Sequence, residues 1–248
     1  MTDQLVVGRG EVYFKEYSSP GELYLGNTPG FSLDRKMETR KRSTSYDGKR
    51  VELPPVVVQD KISLSIATDN LAIENIGLWS TSTPDMSGQT SGGPYEETFT
   101  VRRGHFYQLG SSVNPAGLRH AVSVVLKQGV NTVPVDGNIE INYSQARFRI
   151  LETANDLNNG EMIKVIFSVS ASDSVSVQPA PKLVTGAIRY IGTNPIGPVW
   201  NVFFPEVDLT PRGSFDFKSD QWVSVQFDVN VRKKDFDSPF YHLTQVAY

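Results

Sequence analysis

"VSVQFDVNV", residues 223–231, alternates without a break. Val223, Val225, Phe227, Val229 and Val231 fall on one side, and Ser224, Gln226, Asp228 and Asn230 on the other. A side-chain period of two is the signature of a strand with one dry face and one wet face. "KISLSIA" (61–67) repeats the pattern, setting Ile62, Leu64 and Ile66 against Lys61, Ser63 and Ser65. Such one-sided strands belong to antiparallel sheets. "FSLDRKM" (31–37), "HAVSVVL" (120–126), "ARFRIL" (146–151), "MIKVIFSVSA" (162–171) and "FFPEVDL" (203–209) read as further strands, separated by Gly, Pro, Asn and Asp turns. The fold class is mainly β.

One segment reads as a helix, "DNLAIENIGLW" (69–79). Asp69 or Asn70 is placed to cap it, Glu74 lies in its early turns, and Leu71, Ile76 and Trp79 fall near one face. Two polar stretches, "STSTPDMSGQTSGGPYEE" (80–97) and "SASDSVSVQPAPK" (170–182), read as linkers. They divide the chain into a discontinuous domain, 1–82 with 183–248, and an inserted β-domain with its flanking linkers at 83–182. Within the insertion, strands fill about 98–170. "LYLGNTPGFSL" (23–33) and "RYIGTNPIGPVW" (189–200) echo one another. Either turns simply reuse Gly, Asn and Pro, or the outer halves repeat one hairpin unit.

The totals narrow the classes. A length of 248 residues supports a sizeable core. The formal net charge of −3 argues against general nucleic-acid binding, which calls for a basic footprint. Cysteine is absent, which excludes disulfides and thiolate metal sites. "MTDQLVVGRGEVYF" has no basic region ahead of an apolar run, so no secretory signal is expected. No run reaches the ~18 apolar residues of a membrane span, so no membrane partner is expected.

Catalytic patterns are scarce. His105, His120 and His242 lie far apart, without ligand spacing. "GRGEVY" (8–13) lacks the third glycine and following helix of a dinucleotide fingerprint. "NDLNNGEM" (155–162) faintly resembles a calcium loop, but Phe167 stands where a bidentate Glu would close it, leaving a turn. Glu206, Asp208 and Asp228 invite a glycosidase reading, yet all three alternate with core residues, as on a solvated sheet face. No catalytic residue, metal site or cofactor is expected.

"RKMETRKRSTSYDGKR" (35–50) carries seven basic side chains, but Glu38 and Asp47 lie among them, with Asp34 and Glu52 just outside. A phosphate-binding strip would lack those acids and would interleave aromatics, of which Tyr46 is the sole example. The stretch rises from one strand and returns through "ELPPVVVQDKISLSIA", giving a long hairpin tip at about 42–57. Pro54 and Pro55 are expected to stop the ladder near the return. An isolated hairpin is marginal in water, so this arm is expected to become ordered against another subunit.

With these elements in place, the chain resembles the major tail tube proteins of long-tailed bacteriophages, whose fold is shared with type VI secretion tube proteins. The resemblance rests on "GRGEVYF…LYLGNTPGFSLDRKMETRKRSTSYDGKRVE", on "DKISLSIATDNLAIENIGLW", and on "IRYIGTNPIGPVWNVFFPEVDLTPRGSFDF" followed by "QWVSVQFDVNV". The middle, "GHFYQLGSSVNPAGLRHAVSVVLKQG…INYSQARFRILE", is similar to an accessory β-module of longer members. The resemblance implies an antiparallel sandwich or barrel with one helix and an inserted β-domain. It implies a non-enzymatic virion protein whose hexameric rings stack into a tube for DNA ejection, assembled in the host cytoplasm. Its partners would be itself, tail terminator, tail-tip and tape measure proteins, with DNA passing through unbound.

Strands 31–43, 58–67, 200–211 and 222–232 would line the lumen, presenting Asp34, Lys36, Glu38, Lys61, Glu206, Asp208 and Asp228. Arg40, Lys41, Arg42, Tyr46, Lys49 and Arg50 would form the ring-stacking arm. The alternatives are another phage structural β-protein, such as a capsid decoration or tail-tip subunit, a nucleic-acid-binding module, or a carbohydrate-active enzyme.

Overall fold

The computed structural model describes residues 5–44, 48–82, 84–86, 88–178 and 182–246. The chain opens with β1 (Gly10–Glu16), β2 (Leu23–Tyr24), β3 (Gly30–Thr44), β4 (Val51–Thr68) and the helix α1 (Ile73–Trp79). It continues through β5 (Gly92–Thr100), β6 (Phe106–Gln108), β7 (Ala121–Gln128), β8 (Asn131–Val133), β9 (Ile139–Asn142), β10 (Arg147–Ile150) and β11 (Met162–Val169). It ends with β12 (Val184–Gly192), β13 (Val199–Arg212), β14 (Val225–Val231) and β15 (His242–Val246). The protein is mainly β, its sheets are antiparallel, and α1 is the one helix among the described residues. That helix is far too short to cross a membrane.

Two compact units result, Met1–Pro84 with Val177–Tyr248, and Asp85–Ser176. The first is built on an eight-stranded sheet ordered β2-β1-β12-β13-β14-β4-β3, with β15 also paired to β13. The two alternating stretches of the sequence are neighbours here: Val231 faces Ile62, Val229 faces Leu64 and Phe227 faces Ile66. Their apolar side chains are all buried, together with Phe204, Val207 and Leu209 of β13. Removing such side chains from water contributes about 1.5–3 kcal/mol each, and this row fixes the register. A slip of one residue would expose the whole set.

The helix is shorter than the sequence signals suggest. It starts at Ile73 with Ala72 at the N-cap and no side-chain cap. Asp69 is engaged elsewhere, accepting from Asn27 Nδ2 at 2.6 Å, and Asn70 Oδ1 accepts from the Ala72 amide at 3.3 Å, just ahead of the helix. Leu71 is exposed, and the buried helical positions are Asn75 and Gly77, with Leu78 and Trp79 packed on the core. A polar knot ties this corner to the residue that follows β2. The Leu25 carbonyl accepts from Thr68 Oγ1 at 2.7 Å and from Asn75 Nδ2 at 3.0 Å, all three residues being buried. Gly26, at φ +80°, sits against the Asn70 side chain where a Cβ would collide.

The second unit has a four-stranded sheet, β5-β11-β7-β8, and a three-stranded sheet, β6-β10-β9. Both contribute to one core, including Leu126, Phe148, Ile150, Ile163, Val165 and Phe167. The stretch 80–97, expected to be a linker, contains the first six of the nine residues of β5. Its Ser, Gly and Pro content conceals the alternation Tyr95, Glu97, Phe99, in which Tyr95 meets Phe167 (ring centroids 5.6 Å apart) and Glu97 is buried. The connectors also run side by side, with bridges Asp85–Ser176 and Gln89–Ser172. The "NDLNNGEM" segment is a turn, stapled by Arg103, which donates to the carbonyls of Ala154 and Leu157 at 2.8 Å each.

The echo between 23–33 and 189–200 is partial. β2 has two residues and pairs with β1, whereas β12 has nine and pairs with β13, the strand that follows it.

Candidate functional site

Strands β13, β14, β4 and β3 lie side by side, so two hairpins form one continuous surface. Cross-strand partners share a face, and the ladder registers set the polar side. Asp34 faces Ser63, Lys36 faces Lys61 and Glu38 faces Gln59. Asn230 links Ser63 to Asp208, and Asp228 links Ser65 to Thr210. Asp34, Lys36, Glu38, Lys61, Asp208 and Asp228 therefore occupy one sheet face. Glu206 joins them through Arg232, whose guanidinium meets Asp208 at 2.8 Å and Glu206 at 3.6 Å. Glu206 and Asp208 stand two residues apart on β13, so alternation sets both on this side, and the register shift between Gly186 and Ile188 is what lets Phe204 face the core along with Val207.

Two cations of this face were not singled out from the sequence, Arg232 and Arg212. Arg212 meets Asp228 at 3.2 Å. Both lie at the ends of β14 and β13, where alternation gives way to turns. Tyr17 completes the corner, its hydroxyl donating to the Pro205 carbonyl at 2.8 Å. Burial first, then Glu206, pushes its phenol well above the ordinary tyrosine range. With these arginines the face carries five carboxylates against four cations, a near-balanced and slightly acidic surface. Asp208 Oδ1 is buried and accepts no hydrogen bond.

Beyond Lys61 the β3–β4 hairpin leaves the core as an arm. From Met37 to Thr44 it spans roughly 25 Å at the rise of a strand, and nearly every residue is exposed. Contrary to the expectation from the sequence, Pro54 and Pro55 do not stop the ladder. Pairing skips them, passing from Arg40–Val56 to Arg42–Leu53 and on to Thr44–Val51. A bulge tolerates proline because the bulged residues need no ladder donor. The ordered hairpin is accordingly longer than expected, and its tip shorter.

Arg40, Arg42, Lys49 and Arg50 are exposed. Lys41 has a partner within the arm, Glu52 at 3.4 Å, with both side chains about 70% exposed. Tyr46 lies outside the described residues. The arm also bears Val51, Val56, Val57 and Val58, each more than half exposed. The unalternating "VVV" run was the available signal for these, since continuous apolar runs mark strands covered on both faces. At its base, Arg35 grips Asp60 in a bidentate pair at 2.9 and 2.7 Å, which holds the Asp60 carboxyl below its ordinary range.

Among the described residues, the outer edge of β3 has no partner strand. At the other side, β13 runs three residues past Leu209, its last partner opposite β12. Among the described residues, no group of three or more His, Asp or Glu side chains is placed to hold a metal ion. His105 and His120 lie in one unit and His242 in the other. No protein-family model matches the chain, and no curated protein matches it.

Proposed function

We propose that this chain is a structural virion subunit of the tail tube type, forming six-membered rings that stack into a conduit for phage DNA. The observation that carries the reading is the contiguous set β13-β14-β4-β3, polar on one face and open along the 15-residue edge of β3. An unpaired strand of that length is an aggregation hazard unless another chain completes it. Closure of such edges around a ring removes them altogether.

The polar face then lines the channel. Its near balance of five carboxylates and four cations suits a wall past which DNA slides, because a basic wall would hold phosphates at every ring. The arm reaches an adjacent ring, where its four exposed valines become buried. Tail terminator, tail-tip and tape measure proteins are the further partners on this reading, and the assembled protein resides in the virion tail after assembly in the host cytoplasm. It has no catalytic role here.

Negative-stain electron microscopy of concentrated protein tests the proposal. Rings or tubes with an open channel are expected. A strictly monomeric protein at all concentrations, with or without a tail-tip initiator, overturns it.

A further inference from the structure

In the Asp85–Ser176 unit, a concavity of about 490 Å³ opens on the outer face of the β6-β10-β9 sheet. Arg147 and Arg149 stand two residues apart on β10, so both project to this side. Their guanidinium carbons lie 4.6 and 5.4 Å from the centre of the Phe106 ring, which fixes them as neighbours. Two like charges held together repel one another, and among the described residues neither guanidinium forms an ion pair. Glu140 is the register partner of Arg149 and lines the same concavity, yet it does not bridge to it. Moreover, Arg149 Nε is buried and donates to nothing. A buried donor without an acceptor is costly, and a bound acceptor would relieve it.

The rest of the lining narrows the ligand. Tyr143 offers an exposed aromatic side chain, and Asn142, Ser144 and Gln145 offer amide and hydroxyl groups at the rim. With Glu140 present, the lining carries one net positive charge. That suits a single carboxylate on a hydroxyl-rich body and not a phosphodiester chain, which asks for a cation at most phosphates. A planar carboxylate also matches the fork of an arginine side chain. We infer that this concavity is a binding site for a carboxylated sugar of an acidic polysaccharide, with Arg147 and Arg149 as the carboxylate clamp. The inference stands apart from ring assembly, because its residues belong to the other unit.

Calorimetric titration of the full-length protein tests it, using a galactose oligomer bearing a single galacturonate, the matching neutral galactose oligomer and a single-stranded oligonucleotide as probes. The acidic oligomer should bind at least ~10-fold tighter than the neutral one, and more weakly as salt rises. Arg147→Ala and Arg149→Ala should each cost ~10-fold or more, and Arg149→Lys should restore only part, since an ammonium lacks the fork. If Arg149→Ala fails to fold by circular dichroism, the exposed Arg147 carries the test alone. Absence of binding to the acidic oligomer, equal affinity for the neutral one, or tighter binding of the oligonucleotide overturns the assignment.

Discussion

Lys36 of β3 and Lys61 of β4 face one another across the hairpin ladder, two like charges on the polar face of the sheet. Neither forms an ion pair among the described residues. Directly opposed like charges destabilise an antiparallel pair by ~0.2–1 kcal/mol. Lys61→Glu should therefore raise the stability of the isolated protein by about that amount in urea unfolding. If the face lines a channel, tubes should still form. Loss of tubes would place Lys61 at a contact between subunits.

The arm should matter to assembly and not to folding. Val56 and Val57 are more than half exposed, so Val56→Lys with Val57→Lys should leave stability within about ±0.5 kcal/mol. The double variant should nonetheless abolish rings or tubes in electron micrographs. Arg40→Glu with Arg42→Glu should weaken assembly most at low salt, where screening is least. Normal tubes from both variants would leave the arm as decoration.

Phe227 and Asp228 are adjacent in β14 but lie on opposite faces. Phe227 is fully buried, so Phe227→Ala should cost about 3–5 kcal/mol. Asp228 is exposed and, among the described residues, its one ion pair is with Arg212, so Asp228→Ser should cost no more than ~1 kcal/mol. Chemical denaturation of the two variants distinguishes them. Similar losses would mean that the polar face is buried in the free protein.

Acid should loosen the base of the arm. The hydrogen bonds from Arg35 lower the folded-state pKa of Asp60 below its unfolded value near 3.8. The stabilisation is present above that unfolded value and is lost as pH falls through the lower folded one. Protection factors of the amides in 34–38 and 59–63, with the intrinsic pH dependence of exchange divided out, should fall as pH drops below about 3.8. Asp60→Asn should show the lower protection at neutral pH as well, with little further loss on acidification.

The second unit should fold alone only when cut at its structural boundary. A fragment spanning Asp85–Ser176 keeps the whole of β5 and should unfold cooperatively with a β-type circular dichroism spectrum. A fragment of 98–170 loses Tyr95 and Glu97, whose carboxylate accepts from the amides of Gly110 and Ser112 at 2.8 and 2.9 Å. That fragment should be at most molten. Equal stability of the two would mean that these contacts contribute little.

The sequence by itself determined which face each of the central strands turns inward. Alternation in 61–67 and 223–231 is a local property, because successive side chains of any strand point to opposite sides. It therefore placed Ile62, Leu64, Ile66, Phe227 and Val229 in the core, and Lys61 and Asp228 outside it, with no knowledge of neighbours. The basic run at 35–50 likewise announced an exposed hairpin. Tertiary structure alone decided what depends on register between distant residues. That β14 lies on β4, that Arg232 reaches Asp208, and that the ladder steps past Pro54 and Pro55 all follow from how two strands align. The helix start was decided the same way. Asp69 is a good cap in isolation, but it accepts from Asn27 across the fold, and the buried Leu25 carbonyl holds Thr68 and Asn75 at that corner. A hydrogen bond satisfied across the fold outweighs one offered locally, because a buried polar group left unpaired costs more than a missing cap.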